Sequence, residues 1–344
     1  MNKRYLIDGH FITETLTGIK RMALETLYAL DNMQEAYDFE IIVPKGYGNE
    51  IQDLSRIKVI EYGNYANHRK WVHTVPFSYA KTNNRILVNI SSAYPCQKGS
   101  YVMLADVRLS EGLFDETIRW RLTSSLKAFL ALIFCKKIAT LSEFSKERIV
   151  KIFHVNPNKI VVIPCGWQHF EKIIPDFDVF NKFPQIKVGE YFYSVGSLAP
   201  HKNYNWIVEN AHYNPNCQYV ITGGKREVWK SEEFNLPNIV YTGYLSDEQM
   251  KAIMMKARAF IFPTLYEGFG IPPLEALSVG VKCIISDIPV LREVYKDSVI
   301  YLNPQNPKLD LTSTLQTKVN EPMDILKKYS WDNAARQWIN MIYN

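Results

Sequence analysis

Residues 262–276 read FPTLYEGFGIPPLEA and combine the end of a strand, a glycine-rich turn and the start of a helix. The apolar run before Pro263 predicts a buried strand, and the pair of prolines after the turn favours the first turn of a helix. Gly268 and Gly270 allow the backbone to approach a ligand closely. The helix N-terminus offers free N–H groups and the positive end of the helix dipole, which suits a diphosphate. This stretch predicts an α/β domain with a ligand site at a strand end.

The same alternation of strand-like runs and helical patterns extends over the whole chain, which indicates parallel sheets covered by helices. In the first half the predicted strands are 4–8, 39–44, 57–62, 85–90, 101–106, 137–141 and 159–164. In the second half they are 191–198, 218–223, 238–244, 259–263, 282–287 and 299–302. The predicted helices include 18–30, 203–212, 246–256, 272–279, 290–295 and a C-terminal helix over 323–343. The apolar run Ala128–Cys135 predicts a buried helix.

The length of 344 residues predicts two domains, since one domain has about 150 residues. We expect a first Rossmann-like domain over 1–170, a connection over 171–189 and a second Rossmann-like domain over 190–322. The last segment, 323–344, is expected to pack back on the first domain. The fold class is therefore α/β, with two doubly wound domains. We expect their strand ends to face each other across a central cleft that holds the functional site.

Composition narrows the function classes. The chain is 47% apolar and 22% charged, which excludes a disordered or fibrous protein. No uncharged apolar run approaches the roughly 18 residues of a membrane span, and residues 1–8 reach an acidic residue too early for a signal peptide. Five scattered cysteines without a CxxC pair favour free thiols and a cytoplasmic location. The net charge of +5 is too mild to indicate nucleic acid.

One segment is more basic than the rest of the chain. Between Arg119 and Lys151, eight basic residues stand against two glutamates, a charge of +6 over 33 residues. Such a surface can bind an anionic membrane or an anionic substrate. The alternative is that these side chains cover the solvated faces of two helices.

Two carboxylates, Glu267 and Glu275, bracket the glycine-rich turn with seven residues between them. Carboxylates accept hydrogen bonds from sugar hydroxyls but do not bind phosphate. Here the sequence resembles the retaining nucleotide-sugar glycosyltransferases of family 4, which have the GT-B fold. Their signature is E-G-F-G-[hydrophobic]-P-x-L-E-A, and residues 267–276 match every defined position. The resemblance implies that Glu267 contacts the donor sugar and Glu275 the ribose, with Gly268, Phe269 and Gly270 against the donor. The alternative is a solvated loop glutamate and an ordinary helix residue.

A second matching element is YSVGSLAPHKN at residues 193–203. A flexible ammonium beside a helix N-terminus makes a phosphate site. The resemblance implies that Lys202 holds the donor diphosphate, with Gly196 and Ser197 nearby. Ser197 and His201 stand where many relatives have arginine, so neutralisation of the diphosphate is expected to depend more on Lys202. Two further strand ends resemble those that flank the nucleobase and contribute Gly223, Tyr244 and Leu245.

The first domain also resembles the family. Residues 17–21, TGIKR, match the T-G-[IV]-x-R element after the first strand, which implies that Gly18 lies near the leaving phosphate and that Arg21 contacts an anion. Asp106 matches the aspartate of an H-D pair whose histidine is replaced by Ala105. His10 follows the first strand in the corresponding loop and is the acceptor-side histidine we select, although an isolated histidine is usually structural.

The resemblance implies a retaining glycosyltransferase, similar to the mannosyltransferase-like branch of bacterial polysaccharide synthesis. It would move a sugar from a UDP- or GDP-linked donor to a hydroxyl of a glycan acceptor, which we expect to be lipid-linked. Neither a metal ion nor a cofactor is expected. The alternatives are a sugar-nucleotide epimerase of the same fold and a non-catalytic donor-binding subunit. A dinucleotide oxidoreductase fits less well, because no G-x-G-x-x-G follows the first strand.

Overall fold

A computed structural model of the protein describes residues 4–64, 68–114, 117–224 and 236–344. The chain divides into two compact units, Met1–Gly166 with Tyr329–Asn344, and Trp167–Lys328. Each unit contains one sheet of parallel strands. The prediction of two doubly wound Rossmann-like domains is therefore confirmed. The unit boundaries differ from the expected ones, because the connection expected over 171–189 lies inside the second unit.

The first unit contains a seven-stranded sheet in the order β3-β2-β1-β4-β5-β6-β7. Tyr5 of β1 pairs with Phe39 of β2 on one side and with Ile86 of β4 on the other, so the strand order reverses between β1 and β4. Every strand predicted for this half is present within the described residues, most of them shorter by one to three residues at their ends. The strands are β1 Tyr5–Asp8, β2 Phe39–Val43, β3 Lys58–Glu61, β4 Ile86–Asn89, β5 Tyr101–Met103, β6 Lys137–Thr140 and β7 Ile160–Val162.

Helices cover this sheet and begin at polar caps. The side chain of Thr17 accepts a hydrogen bond from the backbone N–H of Lys20 at the start of the first helix, and Ser142 does the same for Ser145. The helices are α1 Gly18–Asp31, α2 His68–Thr82, α3 Arg108–Glu111, α4 Ile118–Phe134 and α5 Glu143–Phe153. The prediction of a buried helix over Ala128–Cys135 is wrong in part: α4 buries Ala128, Ala131 and Leu132 but exposes Phe129 and Ile133.

The second unit contains a six-stranded sheet in the order β10-β9-β8-β11-β12-β13. Its strands are β8 Tyr191–Val195, β9 Gln218–Thr222, β10 Ile239–Gly243, β11 Ala259–Phe262, β12 Cys283–Ser286 and β13 Ile300–Leu302. Its helices are α6 Gln168–Lys172, α7 Val179–Lys182, α8 Tyr204–Tyr213, α9 Asp247–Met255, α10 Ile271–Ser278, α11 Pro289–Tyr295, α12 Leu311–Thr314 and α13 Met323–Lys328. Phe192, Ile221 and Ile261 from three adjacent strands share one core cluster.

The C-terminal segment forms two helices where one was predicted. After α13 the chain turns at Tyr329, and α14 (Trp331–Tyr343) begins with Ser330 as its cap. The backbone N–H of Asn333 donates to the Ser330 side chain. A capping serine starts a new helix more readily than it continues an old one, which accounts for the break. Helix α14 belongs to the first unit, where the Tyr101 hydroxyl donates to the carbonyl of Ile342.

Candidate functional site

The centre of the second sheet brings two chain segments together. Strand β11 pairs with β8, and the strand order reverses between them, which is where parallel α/β sheets bind ligands. Beyond both strand ends the segments remain in contact. The N–H of Leu265 donates to the His201 carbonyl at 2.7 Å, and the Thr264 hydroxyl donates to the same oxygen at 2.9 Å. The two family-like motifs therefore form one surface.

Lys202 and Glu267 form an ion pair in this surface. The Lys202 Nζ lies 2.6 Å from Glu267 Oε1, and the Thr264 hydroxyl oxygen lies 2.9 Å from that same carboxylate oxygen. The ammonium also lies 5.3 Å from the centroid of the Phe262 ring. The side chains of the pair are only 19% and 12% exposed, so Glu267 is not a solvated loop residue. Both charges are thus fixed before any ligand binds.

Three strand ends converge on this pair, and glycine is required at one of them. The N–H of Gly196, after β8, donates to the Thr222 carbonyl at 3.1 Å. A Cβ at Gly223 would lie 2.1 Å from the carbonyl oxygen of Gly196, and Gly223 has a φ of +110°. No side chain fits there, so the ends of β8 and β9 are held at backbone contact. Ser197, next along the chain, is exposed.

The glycine-rich turn leads into α10 through Gly270, whose φ of +92° favours glycine. The Tyr295 hydroxyl donates to the Gly270 carbonyl, which fixes the turn from beneath. Phe269 is buried in the core and Gly268 is buried as well. Only the backbone of this turn can therefore face a donor.

Helices α8 and α10 both begin at this end of the sheet. Within the described chain, neither Asn203 nor Gly270 caps its helix through a side-chain hydrogen bond. The Asn203 amide instead donates to the carbonyls of Pro263 and Pro304, each at 2.9 Å. The free N–H groups at the start of α8 follow Lys202 directly in the chain. Pro272 and Pro273 carry no N–H, so α10 contributes mainly the positive end of its dipole, which also suits an anionic group.

Glu275 has a partner that the sequence reasoning missed. His169 Nε2 lies 2.9 Å from Glu275 Oε1, and the histidine side chain is only 4% exposed. Because an ionised carboxylate can only accept, Nε2 carries the proton of this hydrogen bond. His169 is 106 residues from Glu275 and lies in α6, just before the expected connection. No local pattern in the sequence indicates this pairing.

The remaining residues selected in this half lie at the sheet edge. Tyr244 and Leu245 follow β10, the edge strand, and the Tyr244 side chain is exposed. None of the contacts found among the described residues ties them to Lys202 or Glu267. Their contact with a nucleobase stays a prediction.

The first sheet carries a different group at its own reversal point. Asp8, at the end of β1, is fully buried and accepts from the His10 imidazole Nδ1 at 3.0 Å and from the Asn89 amide at 3.2 Å. Asn89 ends β4, the neighbouring strand, and its side-chain oxygen accepts from the Ser92 N–H at 2.9 Å. Burial by itself lowers the pKa of His10, but the Asp8 carboxylate outweighs it and the pKa is raised.

A cavity of about 320 Å³ lies in the first unit beside the ends of β4 and β5. Strand β5 ends at Met103, so Asp106 is a loop residue and not the last residue of a strand as predicted. Asp106 accepts from the Arg108 N–H at 3.0 Å. The polar side chains around the cavity include Asp106, Arg108, Ser110, Ser124 and Lys127. Their hydroxyls and charges suit a hydroxylated or anionic molecule.

Helix α1 holds the other residues selected in this half. Gly18 is its first residue, and a Cβ there would have no atom within 4 Å. Arg21 forms an ion pair with Glu25 at 3.6 Å. Lys20 donates to the carbonyls of Ile12 and Glu14, so it holds the loop before α1. The predicted roles of Gly18 and Arg21 at the leaving phosphate stay predictions.

Residues 177–335 match the model of the glycosyl transferases group 1 family. This stretch contains both motifs, and with them Lys202, Glu267 and Glu275, whereas His169 lies before it. This stretch, just under half of the chain, is similar to the group 1 glycosyl transferases. The resemblance stated from the motifs is thereby confirmed. The N-terminal half lies outside the matched residues, so its site rests on the geometry described above.

Among curated proteins, the chain is similar to the O-antigen chain mannosyltransferase RfbU of Salmonella typhimurium, with 28% identity over 59% of this chain and 58% of the relative. It is also similar to the UDP-Gal:alpha-D-GlcNAc-diphosphoundecaprenol alpha-1,3-galactosyltransferase of Escherichia coli, with 30% identity over 45% of each chain. The chain thus spans less than two thirds of the length of these relatives.

Among solved structures, Anabaena Alr3699/HepE in complex with UDP and glucose is similar over 99% of both chains, with a TM-score of 0.70 and 12% identity. At that identity the likeness concerns the fold alone, and it agrees with the GT-B fold class predicted from the motifs.

Proposed function

We propose that this protein is a retaining glycosyltransferase of the group 1 family that moves a sugar from a nucleoside diphosphate sugar to a hydroxyl of a glycan acceptor. The observation that carries the proposal is the Lys202–Glu267 ion pair, held at 2.6 Å at the strand-order reversal of the second sheet. It joins a phosphate-type cation to the first carboxylate of the E-x7-E motif. The names of the mannosyltransferase and galactosyltransferase relatives support the same reaction class.

In this proposal the donor binds the second unit through one ammonium, two helix N-termini and two carboxylates. An ammonium has three N–H donors, and the bond to Glu267 uses one, so Lys202 can hold the diphosphate with the others. The N-termini of α8 and α10 add partial positive charge. Glu275, oriented by His169, accepts from the ribose hydroxyls, and Glu267 accepts from the donor sugar.

The chemistry that follows needs no protein nucleophile. In front-face substitution, as the family resemblance implies, the sugar–phosphate bond breaks on the same face from which the acceptor hydroxyl arrives, and its proton passes to the departing phosphate. Lys202 and the two helix N-termini stabilise the negative charge that develops on the diphosphate. The protein's other contribution is to position the donor. A metal ion and a cofactor are not part of this proposal.

The acceptor is proposed to bind the first unit. The cavity beside Asp106 and Lys127 has the hydroxyl, carboxylate and ammonium groups that recognise a glycan or its phosphate. His10, buried against Asp8, is proposed to support this side. A lipid-linked acceptor is supported by the name of the galactosyltransferase relative, whose acceptor carries diphosphoundecaprenol.

Thermal stabilisation by UDP, GDP and their sugar conjugates tests the donor side first. We expect stabilisation by a nucleoside diphosphate, and Lys202→Ala should weaken diphosphate binding by about tenfold or more while leaving nucleoside binding unchanged. Lys256→Ala is the matched control, since Lys256 also lies 5.4 Å from an aromatic ring centroid but faces no carboxylate of the motif. Equal loss of diphosphate and nucleoside would overturn the assignment of Lys202.

Incubation with glycan acceptors then tests the reaction, with NMR of the product to establish whether the anomeric configuration is retained and EDTA to test metal dependence. Transfer with retention that persists in EDTA is expected. Conversion of the donor without an acceptor would identify an epimerase, and donor binding without any turnover would identify a non-catalytic subunit. Stabilisation by a nicotinamide dinucleotide instead of these donors would point to an oxidoreductase.

A further inference from the structure

Helix α4 exposes an unusual number of large apolar side chains for a helix of 17 residues. Seven of them are between 47% and 73% exposed, although a helix packed on a sheet normally hides such residues. They are Ile118, Trp120, Leu122, Leu126, Phe129, Ile133 and Phe134. This exposed group is called the α4 apolar face below.

The spacing shows that most of this face is one continuous stripe. Positions 118, 122, 126, 129 and 133 follow each other at intervals of four, four, three and four residues, which places them on one side of a helix with about 3.6 residues per turn. The opposite side packs on the sheet through the small residues Ala128 and Ala131 together with Leu132. The stripe therefore points away from the core of its own unit.

The charged residues of α4 itself are all basic, although Asp115 and Glu116 precede the helix directly in the sequence. No acidic residue occurs between positions 117 and 142, while Arg119, Lys127 and the nearby Lys136 are exposed. Further along the basic segment, the charges are engaged within the protein. Arg148 pairs with Glu111 at 2.6 Å, Lys146 with Glu143 at 3.8 Å, and the Lys137 ammonium donates to the Asn158 carbonyl. The basic segment is thus not one free cationic patch, and the apolar stripe dominates its surface.

We propose that α4 lies in the surface of an anionic phospholipid bilayer, with its apolar face among the acyl chains and its basic residues at the headgroups. An apolar stripe on a helix whose charged residues are all basic is complementary to anionic lipid. A second copy would bring the same cations against each other, which disfavours self-association through this face.

The helix would lie on the membrane and not cross it. At 1.5 Å per residue α4 is about 25 Å long, shorter than a bilayer's hydrocarbon core of about 30 Å. In the described parts of the chain, no helix combines the length and the apolar character that a membrane span requires. Attachment would therefore come from one embedded face.

This placement matters for the acceptor. Ser124, Lys127 and Ala128 of α4 also line the cavity of the first unit, so one helix carries both the apolar face and a wall of the cavity. This step rests on the proposed function: a lipid-linked acceptor would present its diphosphate and first sugars at the depth in the membrane at which α4 lies. The membrane contact itself does not depend on that activity.

Co-flotation of the full chain with vesicles tests the proposal. We expect binding to vesicles of phosphatidylcholine and phosphatidylglycerol at low salt, with most of it retained at high salt because embedded apolar side chains are not screened. The triple variant Leu122→Ser, Leu126→Ser, Phe129→Ser should lose binding about tenfold or more. These side chains are exposed, so the variant should keep its fold and its thermal stabilisation by donor nucleotide.

Two control variants sharpen the test. Ile174→Ser, Val188→Ser, Tyr213→Ser removes the same number of exposed apolar side chains from the second unit and should leave vesicle binding unchanged. Lys146→Gln, Lys151→Gln removes charge from the part of the basic segment that lies outside α4 and should weaken binding less than about threefold.

Absence of vesicle binding at low salt would overturn the proposal. So would binding that high salt or the lysine variant abolishes while the α4 variant is unaffected, since the attachment would then be electrostatic. A dimer of the unmodified chain that the α4 variant dissociates, without vesicle binding, would assign the face to a second copy. If the unmodified chain binds vesicles but is not thermally stabilised by any donor nucleotide, the proposed function is refuted and the membrane contact is not.

Discussion

The carboxyl ends of the two sheets have the same topology and different chemistry. Each sheet reverses its strand order beside its first strand, at β1/β4 in the first unit and at β8/β11 in the second. In the second, a lysine–glutamate pair, glycines and two helix N-termini make a place for a diphosphate. In the first, a buried carboxylate takes that position and holds a histidine and an asparagine.

The difference teaches that topology decides where a site lies and the side chains decide what it binds. A buried carboxylate such as Asp8 repels a phosphate at the same point of the sheet where Lys202 attracts one. At the reversal point of its sheet, the second unit is therefore suited to an anion and the first unit is not. The polar groups of the first unit that can bind a ligand lie beside its cavity instead. Substitutions at equivalent places in the two units should therefore have unequal effects.

Glycine at the strand ends provides the largest expected contrast. Gly223→Ala should destabilise the second unit by about 4 kcal/mol, because the added Cβ would meet the Gly196 carbonyl oxygen at 2.1 Å in a backbone conformation that alanine avoids. Thermal or urea unfolding would measure this change. Gly18→Ala is the control in the first unit, where the space is open, and should cost less than about 0.5 kcal/mol. Similar losses for both variants would contradict the comparison.

Glu267→Gln should produce the next largest effect, on transfer and not on folding. The substitution removes one preorganised carboxylate that accepts a hydrogen bond from the donor sugar, so kcat/KM should fall. The expected loss of transition-state stabilisation is about 2–4 kcal/mol. Affinity for free UDP or GDP should not fall, because Lys202 keeps its charge and loses a competing partner. Glu321→Gln, an exposed glutamate of the same unit, is the control. Unchanged transfer at saturating donor would refute the role of Glu267.

His169→Ala should have a moderate effect on the nucleoside. Without the hydrogen bond at 2.9 Å, Glu275 is held less firmly, and nucleoside affinity should fall by about 1 kcal/mol, or roughly fivefold. Calorimetric titration with nucleoside and with inorganic diphosphate separates this change from that of Lys202→Ala, which should affect only the diphosphate. His169→Gln can still donate to the carboxylate and should recover part of the affinity. A loss confined to diphosphate binding would show that Glu275 does not hold the ribose.

The smallest effect should come from the buried histidine of the first unit. Asp8 raises the pKa of His10 above its unfolded value, so protonation of His10 favours the folded state. This contribution is complete below the unfolded pKa of about 6.5 and disappears as the pH rises through the raised folded pKa. The difference in unfolding free energy between the unmodified chain and His10→Gln should therefore shrink with rising pH.

The exposed His154 supplies a comparison in the same unit, and the pH trend of His10→Gln is to be measured beside that of His154→Gln. A difference for His10→Gln that grows as the pH rises would mean that the histidine is stabilised in its neutral form. That result would show that the Asp8 carboxylate does not stabilise a protonated His10.

Much of the fold could be predicted because most strands contain a short apolar run between turn residues. A strand buried on both faces leaves little choice of residue, so runs such as 41–43 and 283–285 indicate strands even without knowledge of their partners. The sequence did not predict the break between two helices at Tyr329, since Trp331 and Trp338 continue the helical spacing of the preceding residues. Only their burial in the first unit shows why a second helix starts there.

The sequence by itself determined the alternation of strands and helices and the glycine-rich motif with its two glutamates, because these depend on neighbours within a few residues. Tertiary structure alone decided that Lys202 meets Glu267 and that His169 meets Glu275, over 65 and 106 residues. It also decided that the apolar residues of α4 face outward. Periodicity fixes which side chains share a face, but only the packing of the whole unit decides whether that face meets the core or its surroundings.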